Sequence, residues 1–236
     1  IGIVLMAFVL MPGTMSLASP VPGGPLAADG AGSYQVHQGD AGCMRVALIF
    51  NMGSGYEPAT SILNTLSAYG VRATMFPMGW FADARPEIVQ WMSASGHVIG
   101  SHGYLGPELT SRSDWDVAND IAASSQSIAN AIGYWPAPWF TPFAGAADDR
   151  VRAIAVNQGY TTVSWGVNSN DWGWNATAAS VYANVMDNVY DGAIVELHFD
   201  SPTTTSSTAG ALPWIIEDLS ARGYRLVTVP EMTQPC

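Results

Sequence analysis

An α/β fold built on a parallel sheet is predicted by two features of this chain, a recurring joint and the make-up of its strand-like runs. From Cys43 onward a helical pattern, a glycine and a short β-rich run follow one another repeatedly, as YGVRATMF at Gly70, SGHVIGS at Gly96, IGYWPAPWF at Gly133, QGYTTVSW at Gly159 and RGYRLVTV at Gly223. Glycine just past a helix takes the left-handed conformation without a Cβ penalty, which ends the helix before a buried strand. The candidate strands, at 46–50, 73–77, 97–101, 137–140, 161–167, 193–198 and 225–229, are mostly continuous apolar runs. Strands covered on both faces read this way, whereas half-exposed strands alternate. Seven strands alternating with about six helices predict a parallel sheet, doubly wound or closed into a barrel.

The elements follow in order. Residues 1–18, IGIVLMAFVLMPGTMSLA, are apolar, broken by Pro-Gly and end in small residues, which fits a signal-peptide core and cleavage site. The run is too short and interrupted for a membrane span. It starts at Ile1 with no positive n-region and is read as a leader lacking its first residues, so the expected location is secreted or in the cell envelope. Residues 19–33 form a Pro/Gly/Ala linker with too little apolar surface to fold, and the domain is expected over 34–236. Helical faces are carried by Ile62, Leu63, Leu66 and Tyr69, by Val117, Ile121, Ile128 and Ile132, and by Val181, Val185 and Val189. Pro86 and Pro213 stand where first-turn prolines belong.

At 236 residues and 48% hydrophobic, the chain is long enough for one well-buried domain. Its net charge of −11 sets 19 acidic groups against eight arginines and no lysine, so no basic patch can neutralise a phosphate backbone and nucleic acid is excluded as a partner. Cys43 and Cys236 are the only cysteines. In an exported chain they are expected to pair and staple the two ends of the domain, the alternative being two free thiols.

Function in parallel α/β folds gathers where strands end. Those ends hold Asn51 and Met52, Trp80, His102, Thr141 and Phe143, Asp171 and Trp172, His198, Asp200 and Glu231. Two of the four histidines with several aromatics suit a sugar face, although each residue alone fits a packed rim equally well. His97, inside a strand, reads as a core or capping histidine, and His37 as solvated. Asn175-Ala-Thr177 fits a glycosylation acceptor, and 200–210 is a polar loop.

The segments VALIFNMGSG, GHVIGSHGYLGPEL, PWFTPFAG, NSNDW and GAIVELHFD, in this order and spacing, resemble the motifs of the polysaccharide deacetylases, carbohydrate esterase family 4 or NodB homology domain. The resemblance covers roughly residues 43–232 and implies a distorted (β/α)7 barrel, in agreement with the strand count. It implies hydrolysis of N-acetyl or O-acetyl groups on polysaccharides with a divalent metal, zinc or cobalt. By the same resemblance, position 51 holds the general base and position 52 a metal ligand, occupied here by Asn51 and Met52. An amide takes no proton from water at neutral pH, and a thioether is a poor ligand for such a metal. Of two metal-binding histidines four residues apart, His102 is kept and Gly106 replaces the other. Thr141 stands where the family carries an arginine that orients the base, and Glu196 where an apolar residue usually lines the acetyl pocket. Asp171, Trp172 and His198 match the later motifs, with His198 at the general-acid position.

A catalytic zinc needs three protein ligands and an open position, so the replacements predict that no metal cofactor is held. A remodelled set of His102, His198 and Asp171 or Asp200 is the alternative. Three functions compete. The first is a domain engaging acetylated glycan or cell-wall polysaccharide, with Trp80, Phe143, Trp172 and Thr141 binding sugar and metal catalysis impaired or lost. The second is a hydrolase working through Asp171 and His198, and the third a structural barrel.

Overall fold

The computed structural model describes residues 35–236, so the leader-like segment, the linker and Tyr34 lie outside the described residues. In chain order the elements are β1 (Gln35–Val36), β2 (Arg45–Met52), α1 (Ser61–Ala68), β3 (Thr74–Pro77), α2 (Gly79–Ala84), α3 (Pro86–Ala94), β4 (Val98–Ile99), α4 (Asp114–Ile132), β5 (Trp139–Phe140), α5 (Asp149–Asn157), β6 (Thr161–Val163), β7 (Val167–Asn168), α6 (Ala178–Met186), β8 (Ile194–His198), α7 (Thr208–Ala221), β9 (Arg225–Val227) and α8 (Val229–Met232). The five predicted joint glycines all have positive φ, from 64° at Gly70 to 85° at Gly223.

The strands close into a barrel. β2 pairs in parallel with β8 along one edge, and with β9 and then β3 along the other. β3 continues to β4, and β8 to β7. A parallel bridge between Ser101 and Phe140 joins β4 to β5, which pairs with β6. The circuit is completed by the chain itself, because β6 and β7 are two arms of the one strand predicted over 161–167. The bend lies at Gly166, whose position leaves no room for a Cβ beside the Tyr190 hydroxyl. One arm thereby joins the small sheet of β1, β6 and β5, and the other joins β8.

Alternation along β2 decides what faces inward. Val46, Leu48, Phe50 and Met52 enter the large apolar layer shared with the outer helices. Ala47 and Ile49 pack inside the barrel with Phe76, Val163 and Ile194. Asn51 continues the inward series at the strand tip.

Two sequence expectations need correction. Pro213 lies inside α7 rather than in its first turn, because the preceding polar loop supplies the helix start at Thr208. β1, which was not predicted, ties the N-terminal lead to β6. Cys43 and Cys236 form a disulfide with their Cα atoms 5.4 Å apart, and it spans 193 residues. No helix among the described residues is long and apolar enough to cross a membrane. The longest helix, α4, is capped by Ser113, whose hydroxyl accepts the Asp116 N–H at 3.2 Å. Ser113→Ala is expected to destabilise the fold by about 1 kcal/mol, read from a urea melt.

Candidate functional site

The tips of β2, β4, β5, β7 and β8 converge on one polar chain. His102 Nδ1 lies 2.7 Å from Thr141 Oγ1, which donates to Asn51 Oδ1 at 3.1 Å. Asn51 Nδ2 donates to Glu196 Oε1 at 3.1 Å, and that oxygen faces His198 Nε2 at 3.6 Å. His198 Nδ1 meets Asp171 Oδ1 at 2.7 Å, while Asp171 Oδ2 accepts the His198 backbone N–H at 2.8 Å and the Thr208 hydroxyl at 2.6 Å. Strand register explains the meeting, since Asn51 pairs with His198 and Ile49 with Glu196, so both β8 side chains stand on the inward face beside Asn51.

The network also fixes proton positions. Because the Thr141 hydroxyl donates to Asn51, its oxygen accepts from His102, and Nδ1 of His102 therefore carries the proton. Burial holds His102 neutral, with its pKa down at about 3, and the charge on His198 adds to this. Burial also acts against a charge on His198, but the Asp171 carboxylate outweighs it and lifts the pKa to about 9. Asp171 itself is fully buried, yet its ion pair and hydrogen bonds with His198 keep it below the ordinary carboxylate range. Burial pushes Glu196 up to about 7. Its Oε2 is buried and has no hydrogen-bond partner among the described residues.

The other sequence-selected residues are placed as follows. Met52 is buried in the outer apolar layer, on the face of β2 opposite Asn51. It does lie along the same rim as His102, since it pairs with Pro77, whose carbonyl accepts the His102 N–H at 3.0 Å. Gly106 faces the Phe143 ring, which stands 3.5 Å from where a Cβ would be, and that ring is 6.2 Å from the His102 ring. Asp200 is taken up by the backbone N–H groups of Gly53, Ser54 and Gly55 at 3.0–3.2 Å, although burial still raises its pKa. Positive φ at Gly53 and Gly55, 129° and 88°, lets three successive amides point at one carboxylate.

Thr141 is buried as the link between Asn51 and His102 rather than lying open to ligand. Trp80 is part-buried, its Nε1–H on the Met78 sulfur, whereas Trp172 is 56% exposed at the rim. His97 accepts the Ala73 N–H at 3.1 Å and is a core histidine, and His37 is exposed.

Two features go beyond the sequence reading. Glu196, noted there only as a replacement in the acetyl pocket, links Asn51 to His198 in the polar chain, its signal being a single carboxylate inside an otherwise apolar strand. Tyr56 and Trp174 stack edge to face with centroids 5.4 Å apart, Trp174 being 72% exposed. Beyond Gly106, a surface cleft of about 490 Å³ is lined by Tyr104, Leu105, Pro107 and Trp115, with Arg112 and Asp120 paired at 2.7 Å.

A divalent metal does not fit this donor set. Position 52 presents a thioether to the outer layer, position 106 has no side chain and is covered by Phe143, and Asp200 is saturated with backbone donors. Among the described residues no group of three or more His, Cys, Asp or Glu is arranged to hold an ion.

Residues 38–163, more than half of the chain, match the polysaccharide deacetylase family. The chain belongs to that family. Among relatives of this polysaccharide deacetylase domain is PgdA, a peptidoglycan-N-acetylglucosamine deacetylase of Listeria monocytogenes, 31% identical over 188 residues that cover 80% of this chain. The domain spans only 38% of that relative's length. A solved peptidoglycan N-acetylglucosamine deacetylase superposes with a TM-score of 0.80 at 30% identity, over 86% of this chain and 94% of the other. A Bacillus anthracis protein described as a carbohydrate esterase family 4 pseudoenzyme superposes with a TM-score of 0.78 at 25% identity, over 86% of this chain and 69% of the other. The distorted deacetylase barrel is thus the fold of this chain.

Proposed function

We propose that this deacetylase-family barrel acts outside the cytoplasm as a domain that engages acetylated cell-wall glycan, with the family's metal-dependent hydrolysis lost. The observation that carries the reading is Asn51. It stands at the position of the base, and both ends of its amide are committed, one to Thr141 and one to Glu196. Position 51 has no carboxylate to take a proton from water, and neither Met52, on the opposite face of the strand, nor Gly106, which has no side chain, offers a ligand. Export is supported by the Cys43–Cys236 disulfide, since such bonds persist in oxidising compartments. Glycan engagement is supported by the exposed rings of Trp172 and Trp174 at the rim and by the relatives that act on peptidoglycan.

A hydrolase reading is favoured by one feature, the imidazolium of His198 held by Asp171, which is a ready proton donor. The two readings part on measurement. The purified protein is expected to carry far less than one zinc or cobalt per chain and to release no acetate from chitin oligomers or acetylated xylan. It is expected to bind those glycans, with affinity reduced roughly tenfold by Trp172→Ala. Stoichiometric metal that is lost on His102→Ala, or turnover abolished by His198→Ala, would overturn the proposal. Absence of any glycan binding would leave a structural barrel.

A further inference from the structure

A cleft of about 490 Å³ lies between residues 104–107 and the start of α4, within the size range of small-ligand sites. Its apolar wall includes Leu105 and Trp115, 54% and 73% exposed, and Trp115 is the most exposed of the large apolar side chains described. That wall is held in place. Asp120 of α4 is buried behind it and accepts the N–H groups of Tyr104 at 2.7 Å and Leu105 at 3.3 Å, together with Arg112 Nη1 at 2.7 Å. Gly103 makes room for this carboxylate, since a Cβ there would stand 2.6 Å from Asp120 Oδ1. Scattered apolar residues on a surface are ordinary, but two that a buried ion pair fixes around one concavity form a preorganised surface. Along α4, Trp115, Asn119 and Ala123 fall four residues apart on one face, so a ring, an amide and a small residue line the cleft in a row.

We propose that this cleft is a saccharide subsite, in which one neutral pyranose ring of a glycan packs on Trp115 and bonds through its hydroxyls to Asn119. The inference rests on the glycan reading above and deepens it, adding a ring contact outside the barrel mouth, where Asn51, Thr141 and Glu196 are buried and bonded to one another. The charges of the cleft favour a neutral occupant. Arg112 is already paired with Asp120, and Asp116 takes the Ser113 hydroxyl on Oδ2 at 2.6 Å, so an anion would meet Asp116 without a free cation to receive it. The Asn119 amide is exposed and has no side-chain hydrogen bond among the described residues, which leaves one acceptor and two donors for a ligand. A pyranose has a face of C–H groups and a rim of hydroxyls, matching an exposed ring beside a free amide. Gly106 belongs to the cleft wall and adjoins Phe143, whose ring is 6.2 Å from that of His102, so the subsite borders the polar chain.

The test titrates the full chain with N-acetylglucosamine oligomers by calorimetry and repeats the titration with Trp115→Ala, Trp115→Phe and Asn119→Ala. Trp115→Ala is expected to weaken binding about tenfold, and Trp115→Phe to recover part of the loss because a ring face remains. Asn119→Ala is expected to weaken binding about two- to tenfold, the range of a neutral hydrogen bond. Both side chains are exposed, so the variants are expected to melt at the wild-type temperature. Wild-type affinity is expected to stay within about twofold from about 0.05 to about 0.5 M salt, since a neutral ligand is not screened, and a steep fall with salt would overturn the neutral occupant. Unchanged affinity in Trp115→Ala, with Trp172→Ala still weakening binding, overturns the subsite and leaves the glycan reading standing. Unchanged affinity together with wild-type self-association that Trp115→Ala abolishes assigns the cleft to a second copy of this chain, which also overturns the subsite. Failure of the wild type to bind any oligomer sinks both.

Discussion

Asp171→Ala is expected to lower the unfolding free energy by about 3–5 kcal/mol, measured by urea denaturation at pH 6. Asp171 is fully buried, and both of its oxygens are used, by the ring and backbone N–H of His198 and by the Thr208 hydroxyl. Its removal takes away the main counter-charge of a buried imidazolium, and the His198 pKa falls because burial is then opposed only by the weaker pull of Glu196 and Asp200. Removal of both partners is milder than removal of one, since no unpaired charge remains. The double variant Asp171→Ala with His198→Ala should therefore lose less than the sum of the two single losses. A single variant within about 1 kcal/mol of wild type would show that the pair contributes little, as surface ion pairs do.

The same pair illustrates what the sequence could and could not disclose. Asp171 and His198 are legible because His198 ends β8, Asp171 follows closely on β7, and strand ends converge in a parallel barrel. The helix-to-strand glycines are legible because only glycine meets the left-handed joint cheaply, and the structure has all five there. Register is not legible. Glu196 meets Asn51 only because β8 pairs with β2 so that Ile49 faces Glu196 and Asn51 faces His198, a fact of tertiary pairing. The division of 161–167 into two arms depends on Tyr190 approaching Gly166 from a distant segment. Side-chain exposure is also set by packing, which is why Trp80, chosen as a sugar platform, turns out part-buried on Met78, while Trp174, not chosen, is exposed. Met52 shows both sides. Its place in the first motif was readable, but alternation along β2 sends its side chain to the outer apolar layer. That face also explains how a thioether is accommodated there.

Glu196→Gln is expected to make the protein more stable at pH 8, by up to about 3 kcal/mol, and to change little at pH 4. The sign follows from burial, which raises the folded pKa from 4.5 to about 7. Below 4.5 the carboxyl is protonated in both the folded and unfolded chain, and the stability associated with its proton is fully present. As pH rises from 4.5 through 7 the unfolded chain releases that proton first, so stability is lost and is lowest once the folded carboxylate is ionised. Glutamine keeps the acceptor for Asn51 Nδ2 and has no proton to lose, so the variant escapes the decline. The stabilities of both proteins, taken from urea melts at pH 4 and pH 8, give the difference directly. Equal destabilisation at both pH values would mean that Glu196 contributes to folding and that its burial is not a strain. The expected gain instead marks a residue that folding alone disfavours above neutral pH. Fold stability then supplies no reason for a carboxylate rather than an amide at position 196.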